Sequence, residues 1–263
     1  MLQNPHELVT AEQWRVAQPW LAQRATERRH LSMYLSGAHA YGFPSPDSDL
    51  DIKCVHIANT AQLLALTPHD NNRELTEIVD GVELDYSSHE VGMVLRGVIS
   101  GNGNYIERFL GSEQFAVDPI WFAPARMVVT DLLSQRVANH YMGFATSQLK
   151  LYDAKPTAKR ALYVLRTTAT GCELLTEGRM VTNLRELPLY WPSGITELFD
   201  IKQRSEREPL PTDVAQRWRD ALVQAIAAIE QAKAVSPLPV TSNPTALQAA
   251  NDWLISVRRS NFS

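Results

Sequence analysis

Between Leu35 and Lys53 the chain reads Leu-Ser-Gly-Ala-His-Ala-Tyr-Gly-Phe-Pro-Ser-Pro-Asp-Ser-Asp-Leu-Asp-Ile-Lys, and no other stretch constrains the fold as tightly. The apolar run Leu31 to Leu35 predicts a short buried strand, and Gly37 lets the backbone turn sharply and approach a ligand closely. Ala38 to Tyr41 predicts a brief helical turn whose N-terminal N–H groups favour negative charge, ended by Gly42 and Pro44. The turn Ser45-Pro46-Asp47-Ser48 then feeds a strand expected over 49–57. Period two puts Asp49 and Asp51 on one side of that strand and Leu50 and Ile52 on the other. Two carboxylates on one side can share a hard cation, for which magnesium is the natural candidate, beside amides suited to phosphate.

This order and spacing resembles the nucleotidyltransferases of the DNA polymerase β superfamily, whose pattern is Gly-Ser, a few residues, Gly, a short gap, then Asp-x-Asp. More narrowly, Tyr41-Gly42-Phe43-Pro44-Ser45-Pro46-Asp47-Ser48-Asp49 is similar to the nucleotidyltransferases assigned to bacterial RNA-repair pathways. The narrower likeness extends to Gly101-Asn102-Gly103-Asn104 with Glu107 and to Lys159, Tyr163 and Arg166, covering roughly the first two thirds of the chain. The chain departs from the pattern at Ala38, where the family carries Ser. One phosphate-facing hydroxyl is absent there, worth about 1.5–3 kcal/mol to a charged partner, while the backbone amides remain. By this resemblance Gly37, Ala38 and Ser48 belong to the nucleotide-binding turn.

The superfamily takes a third carboxylate from a neighbouring strand, and Val82-Glu83-Leu84-Asp85-Tyr86 is the candidate segment. Alternation puts Glu83 and Asp85 on one face and Val82, Leu84 and Tyr86 on the other. The resemblance favours Asp85, with Glu83 as local competitor. It implies catalytic and metal-binding roles for Asp49, Asp51 and Asp85 around two metal ions, with Asp85 as proton acceptor. His39 is a candidate phosphate contact or a packing residue, and Cys54 falls on the apolar side of the acidic strand.

At 263 residues with 44% hydrophobic and 21% charged content, the chain can bury a sizeable core. No apolar run approaches the roughly 20 residues of a membrane span, and Met1 to Thr10 lacks a basic segment followed by an apolar one, so no membrane association and a cytoplasmic location are expected. The two cysteines, Cys54 and Cys172, form neither a disulfide framework nor a zinc motif. A net charge of −4 argues against an extended duplex-binding surface.

Along the chain, a helix is expected over 11–29, kinked or broken at Pro19, and another over 59–66, followed by a polar connection over 67–73. Strands over 74–79 and 82–86 flank Asp80-Gly81, a hairpin signal. Ser87-x-x-Glu90 reads as a capping box for a helix over 91–99 that stops at Gly101 to Gly103. Helices are expected over 128–140, 141–152, 157–177, 211–234 and 245–259, separated by proline-rich breaks at 188–192 and 236–244. The fold class is α+β: a polymerase β-like mixed sheet with helices over 1–125, then a helical domain over 126–263.

Lys159, Tyr163 and Arg166 have i, i+4, i+7 spacing and so share a helix face. With the resemblance, they are nucleotide-binding candidates: Lys159 as a point charge, Arg166 as a bidentate phosphate clamp, Tyr163 as a stacking or lining residue. Asn104 and Glu107 are secondary candidates for shaping the nucleotide or acceptor pocket. The activity implied is magnesium- or manganese-dependent transfer of a nucleoside monophosphate from an NTP to an acceptor such as an RNA end. The alternatives are adenylylation of a protein, as in antitoxin nucleotidyltransferases, and a non-catalytic nucleotide-binding protein. Oligomeric state is not legible.

Overall fold

The computed structural model describes residues 1–67, 72–204 and 208–262. Its contacts divide the chain into two compact units, one of residues 1–39, 49–133 and 242–263, the other of 40–48 and 134–241. Each unit is therefore assembled from separated stretches of sequence.

The first unit holds α1 (Ala11–Glu27), β1 (Arg29–Leu35), most of the one-turn helix α2 (Gly37–Ala40), β2 (Leu50–Ile57), α3 (Thr60–Leu64), β3 (Arg73–Val79), β4 (Val82–Glu90), α4 (Val91–Ile99), α5 (Gly103–Leu110), β5 (Gln114–Val117) and α6 (Phe122–Asp131). The strands form one sheet in the order β3-β4-β2-β1-β5. The β2–β4 pairing is parallel and the others are antiparallel, which gives the mixed α/β architecture. Leu31, Met33, Leu35, Leu50, Ile52, Cys54 and Leu84 are fully buried in the sheet, with Val94 and Phe109 from the helices packed against it.

Thr10 and Gln13 make a reciprocal capping box at the start of α1. Pro19, read as a kink or break, lies inside that helix, which runs on through it without a break. At Ser87 to Glu90 the capping-box expectation fails. All four residues belong to β4, and Glu90 is itself the N-cap of α4, with Oε2 accepting from the amides of Gly92 at 2.8 Å and Met93 at 3.3 Å. Its other oxygen pairs with Arg258 at 2.5 Å. The expected helix over 91–99 stops as read, with α4 ending at Ile99 and Gly101 in the left-handed region at φ 81°; a second helix then starts at once, because the Asn102 side chain caps α5 by accepting from the Asn104 amide. The polar connection expected over 67–73 lies mostly outside the described residues.

The second unit holds α7 (Val137–Ala154), α8 (Ala158–Glu177), α9 (Thr196–Arg204) and α10 (Thr212–Ala234). Thr157 caps α8, accepting from the Arg160 amide, and Gly178 ends it in the left-handed region at φ 67°. Gly171 lets α8 meet α7 closely, since a Cβ there would sit 2.7 Å from Tyr141. The helix expected over 128–140 is two pieces, α6 and the start of α7, and α7 crosses 140–141 without a break. Tertiary hydrogen bonds set the real boundary: the Ser242 hydroxyl takes the Leu132 carbonyl, and the Gln135 amide donates to Pro239. The last helix, α11 (Pro244–Ser260), belongs to the first unit, where it packs on α6. Among the described residues no helix is long and apolar enough to cross a membrane.

Candidate active site

In the first unit, β2 starts at Leu50, one residue after Asp49. The parallel ladder pairs Leu50 with Leu84, Asp51 with Asp85 and Lys53 with Ser87. Period two therefore places Asp51, Lys53, Asp85 and Ser87 on one face, and Leu50, Ile52, Leu84 and Tyr86 on the other. Glu83 shares the Asp85 face, but it is exposed and pairs across β3 with Ile78.

Asp51 and Asp85 are joined by one cation. Lys53 Nζ lies 2.8 Å from Asp85 Oδ2 and 3.4 Å from Asp51 Oδ1. The Thr76 hydroxyl from β3 donates to Asp85 Oδ1 at 3.3 Å. Burial pushes the Asp51 pKa up to about 6, helped by the charges of Asp49 and Asp85 and opposed by Lys53. For Asp85, burial also pushes upward, but the hydrogen bond and charge of Lys53 and the hydroxyl of Thr76 outweigh it and hold the pKa below the ordinary value. One carboxyl thus resists ionisation while its neighbour is held ionised.

The glycine turn closes over Asp51. Gly37 adopts φ 66°, and a Cβ on it would lie 1.8 Å from Asp51 Oδ2, so only glycine fits. The Ser36 amide donates to the Asp51 carbonyl at 2.8 Å, fixing the turn against β2. Ala38 and His39 are both buried. On the same face, Arg108 of α5 is buried and committed, with Nη1 donating to the Cys54 carbonyl at 2.8 Å and Nη2 to Ser87 Oγ at 3.4 Å. Glu107 is buried and Asn104 is exposed. The Cys54 thiol is fully buried, and burial raises its pKa to about 12, which leaves it protonated and inert.

In the second unit, Ser48 closes the 45–48 turn. Its Oγ accepts from the Ser45 amide at 2.9 Å and lies 3.0 Å from Ser45 Oγ, which accepts from the buried Lys202 Nζ at 2.6 Å. Lys159 and Tyr163 line a cavity of about 430 Å³ together with Gln148, Lys155, Thr157 and Arg160. Arg166 lies outside that lining. It is 2% exposed, with its guanidinium 3.7 Å from the centre of the Tyr41 ring, and Tyr163 meets Tyr41 and Phe43 edge-on. The helix face expected from spacing is therefore split between a cavity wall and an aromatic core.

Sequence reasoning passed over Lys53, Thr76, Lys155 and Arg160. Lys53 was within reach of the same alternation that paired Asp49 with Asp51, because it stands two residues beyond Asp51. Thr76 required the β3–β4 register, and Lys155 and Arg160 required the α7–α8 connection.

Among the described residues no cluster of three or more His, Cys, Asp or Glu is arranged as a ready metal cage. The donor chemistry nonetheless fits a hard divalent cation: Asp49, Asp51 and Asp85 offer only oxygen, and two of them, Asp51 and Asp85, already gather a cation in the Lys53 ammonium.

A sequence model described as RlaP, the RNA repair pathway DNA polymerase beta family, matches residues 20–256. An uncharacterized protein of Methanocaldococcus jannaschii is 26% identical over 179 residues, spanning 65% of this chain and 72% of the relative. Among solved structures, a nucleotidyltransferase-like protein from Exiguobacterium sibiricum aligns over 94% of this chain and 79% of its own at 8% identity, with a TM-score of 0.34. That overall likeness is too weak to bear on function.

Proposed function

Because the chain belongs to the RNA repair pathway DNA polymerase β family and is a nucleotidyltransferase, we propose that it transfers a nucleoside monophosphate from an NTP to the hydroxyl of an RNA end. The observation that carries the reading is the register that sets Asp51 beside Asp85, with Asp49 two residues before Asp51.

The acceptor oxygen bonds to the α-phosphorus as the bond from that phosphorus to the β-bridging oxygen breaks, and pyrophosphate leaves. Magnesium or manganese, held by Asp49, Asp51 and Asp85, would neutralise phosphate charge and lower the pKa of the attacking hydroxyl. Asp85, held ionised beside Lys53, is the proposed acceptor of that hydroxyl's proton. The Gly37 turn presents backbone amides toward anions, a role that survives the loss of the serine hydroxyl at Ala38. Positioning and charge neutralisation carry most of the catalysis, since this chemistry leaves little covalent work to side chains.

In the second unit, we assign the cavity lined by Lys155, Lys159, Arg160 and Tyr163 to a phosphate-bearing ligand. Three cations and no carboxylate line it, with an aromatic wall, and its volume falls within the range of small-molecule sites. Lys159→Ala should weaken NTP binding more than NMP binding, because the triphosphate tail supplies the partner charge. Equal losses would move Lys159 away from the phosphates. A cytoplasmic setting, where NTPs and RNA coexist, suits this chemistry.

Incubating the protein with each labelled NTP, Mg²⁺ or Mn²⁺, and separate RNA and protein fractions tests the whole reading. Label transferred to RNA ends supports it. Label on protein alone would make the enzyme a protein adenylyltransferase, and no transfer under any condition would overturn the activity.

A further inference from the structure

The ammonium of Lys53 sits where two carboxylates converge, 2.8 Å from Asp85 and 3.4 Å from Asp51. In-register pairing across β2 and β4 forces those two acids together. Two like charges held this close need a cation, and the protein supplies one from its own strand. Arg108, on the same face, cannot serve, because its guanidinium is spent on the Cys54 carbonyl and Ser87 and its side chain is buried.

Lys53 differs from Arg108 in the way that matters for exchange. About a quarter of its side chain is exposed, and a four-carbon stem carrying a compact charge can swing from the carboxylates into water. Asp85, 36% exposed, lies on the open side of the pair. A divalent cation entering between Asp51 and Asp85 would meet the ammonium at ion-pair distance, and two cations cannot keep the same oxygens.

We propose that Lys53 is the resident counter-ion of the carboxylate cluster in the metal-free protein, and that it leaves when a divalent cation enters, so that metal binding is an exchange of one cation for another. The inference rests on the reading that Asp49, Asp51 and Asp85 bind metal. The free protein is protected from its own carboxylate repulsion, at the cost of weaker metal affinity. Replacing the lysine by a neutral side chain removes both effects together. Replacing it by arginine keeps both.

The test measures Mn²⁺ affinity from the electron paramagnetic resonance signal of free Mn²⁺, and thermal unfolding in chelator and in saturating Mn²⁺, for the wild type, Lys53→Met, Lys53→Gln, Lys53→Arg and Asp51→Asn. The neutral variants should bind Mn²⁺ about tenfold or more tightly than wild type, as loss of one adjacent like charge implies. They should unfold at lower temperature in chelator, with the gap closing in Mn²⁺. Lys53→Arg should keep wild-type affinity, and Lys53→Gln carries the test if Lys53→Met does not fold. Equal or weaker binding by the neutral variants, while Asp51→Asn abolishes binding, overturns the exchange and leaves the metal reading standing. No Mn²⁺ binding by any protein, or binding that Asp51→Asn leaves unchanged, removes the metal reading and the exchange with it.

Discussion

On one side of strand β2 the protein half-buries charge, and on the other it buries neutral imidazoles. The first side carries Asp51 and Lys53 opposite Asp85, an ion-paired cluster. The second carries His56, aligned with His30 across β1. His56 Nδ1 lies 2.9 Å from Ser88 Oγ and 3.5 Å from Arg28 Nη1. Both neighbours can donate, so the ring is satisfied as an acceptor and has no use for a second proton. Burial lowers the His56 pKa to about 3, with the Arg28 charge adding to it, and the same two causes bring His30 to about 4. One strand thus meets the cost of removing ionisable groups from water in two ways, by pairing and by neutralising. The paired side remains capable of exchanging its cation, and the neutral side serves only as core.

The largest expected effect breaks the paired side. Asp49→Ala or Asp51→Ala should abolish metal-dependent transfer with the fold intact, exceeding the roughly 10–100-fold loss typical of residues that merely support a metal ligand. Turnover and circular dichroism check this, and undiminished turnover in either variant would remove the metal assignment.

Next, Gly37→Ala should destabilise the first unit by more than about 2 kcal/mol, because a left-handed backbone alone costs about 1–2 kcal/mol and the new methyl would collide with Asp51. A denaturant midpoint equal to wild type would show that the turn does not press on the carboxylate.

The neutral side is tested by acid. A histidine whose folded pKa lies below its unfolded value of 6.5 stabilises the fold fully above pH 6.5 and loses that contribution as pH falls toward about 3 to 4. Stability should therefore decline with falling pH by up to about 1.4 kcal/mol per pH unit for each such histidine. His56→Gln should flatten the slope measured by urea unfolding between pH 6.5 and 4, and an unchanged slope would show that His56 charges freely in the fold. Smallest of all, Thr76→Val should change stability by about 0.5 kcal/mol or less, since its bond to Asp85 is long and exposed and Lys53 does most of the holding. A larger loss would shift that weight from Lys53 to Thr76.

Much of this architecture was legible because it follows local rules. An apolar run marked β1, alternation marked β2 and the β3–β4 hairpin, and α8 fills the helix expected over 157–177. What escaped notice depends on distant partners. Glu90 caps α4 because β4 runs on through Ser87 and Ser88, which are engaged by Arg108 and His56. The boundary before α7 is set by Ser242 and Pro239, a hundred residues away in sequence. The helix α9 and the four-residue β5 are too short to show a period. At the site, type and spacing singled out the acidic residues, but which residue stands opposite Asp51 is a matter of register, which one strand's sequence does not contain. Arg166 illustrates the converse: helical spacing put it on a face with Lys159, and the aromatic ring of Tyr41 took it into the interior.

The assignment of α11 to the first unit has a consequence for the order of synthesis. Ribosomes deliver the chain from its N-terminus at about 5–20 residues per second, and the helix that supplies Arg258 to Glu90 emerges only after the whole of the second unit's main segment. For that interval the sheet waits with the Glu90 carboxylate lacking its arginine, while α7, α8 and α10 and the 40–48 segment of their unit have all been delivered. The helical unit can therefore finish while the unit begun first is still incomplete, and nascent chains halted before Pro244 should be trapped by chaperones through the face of α6 that α11 would cover.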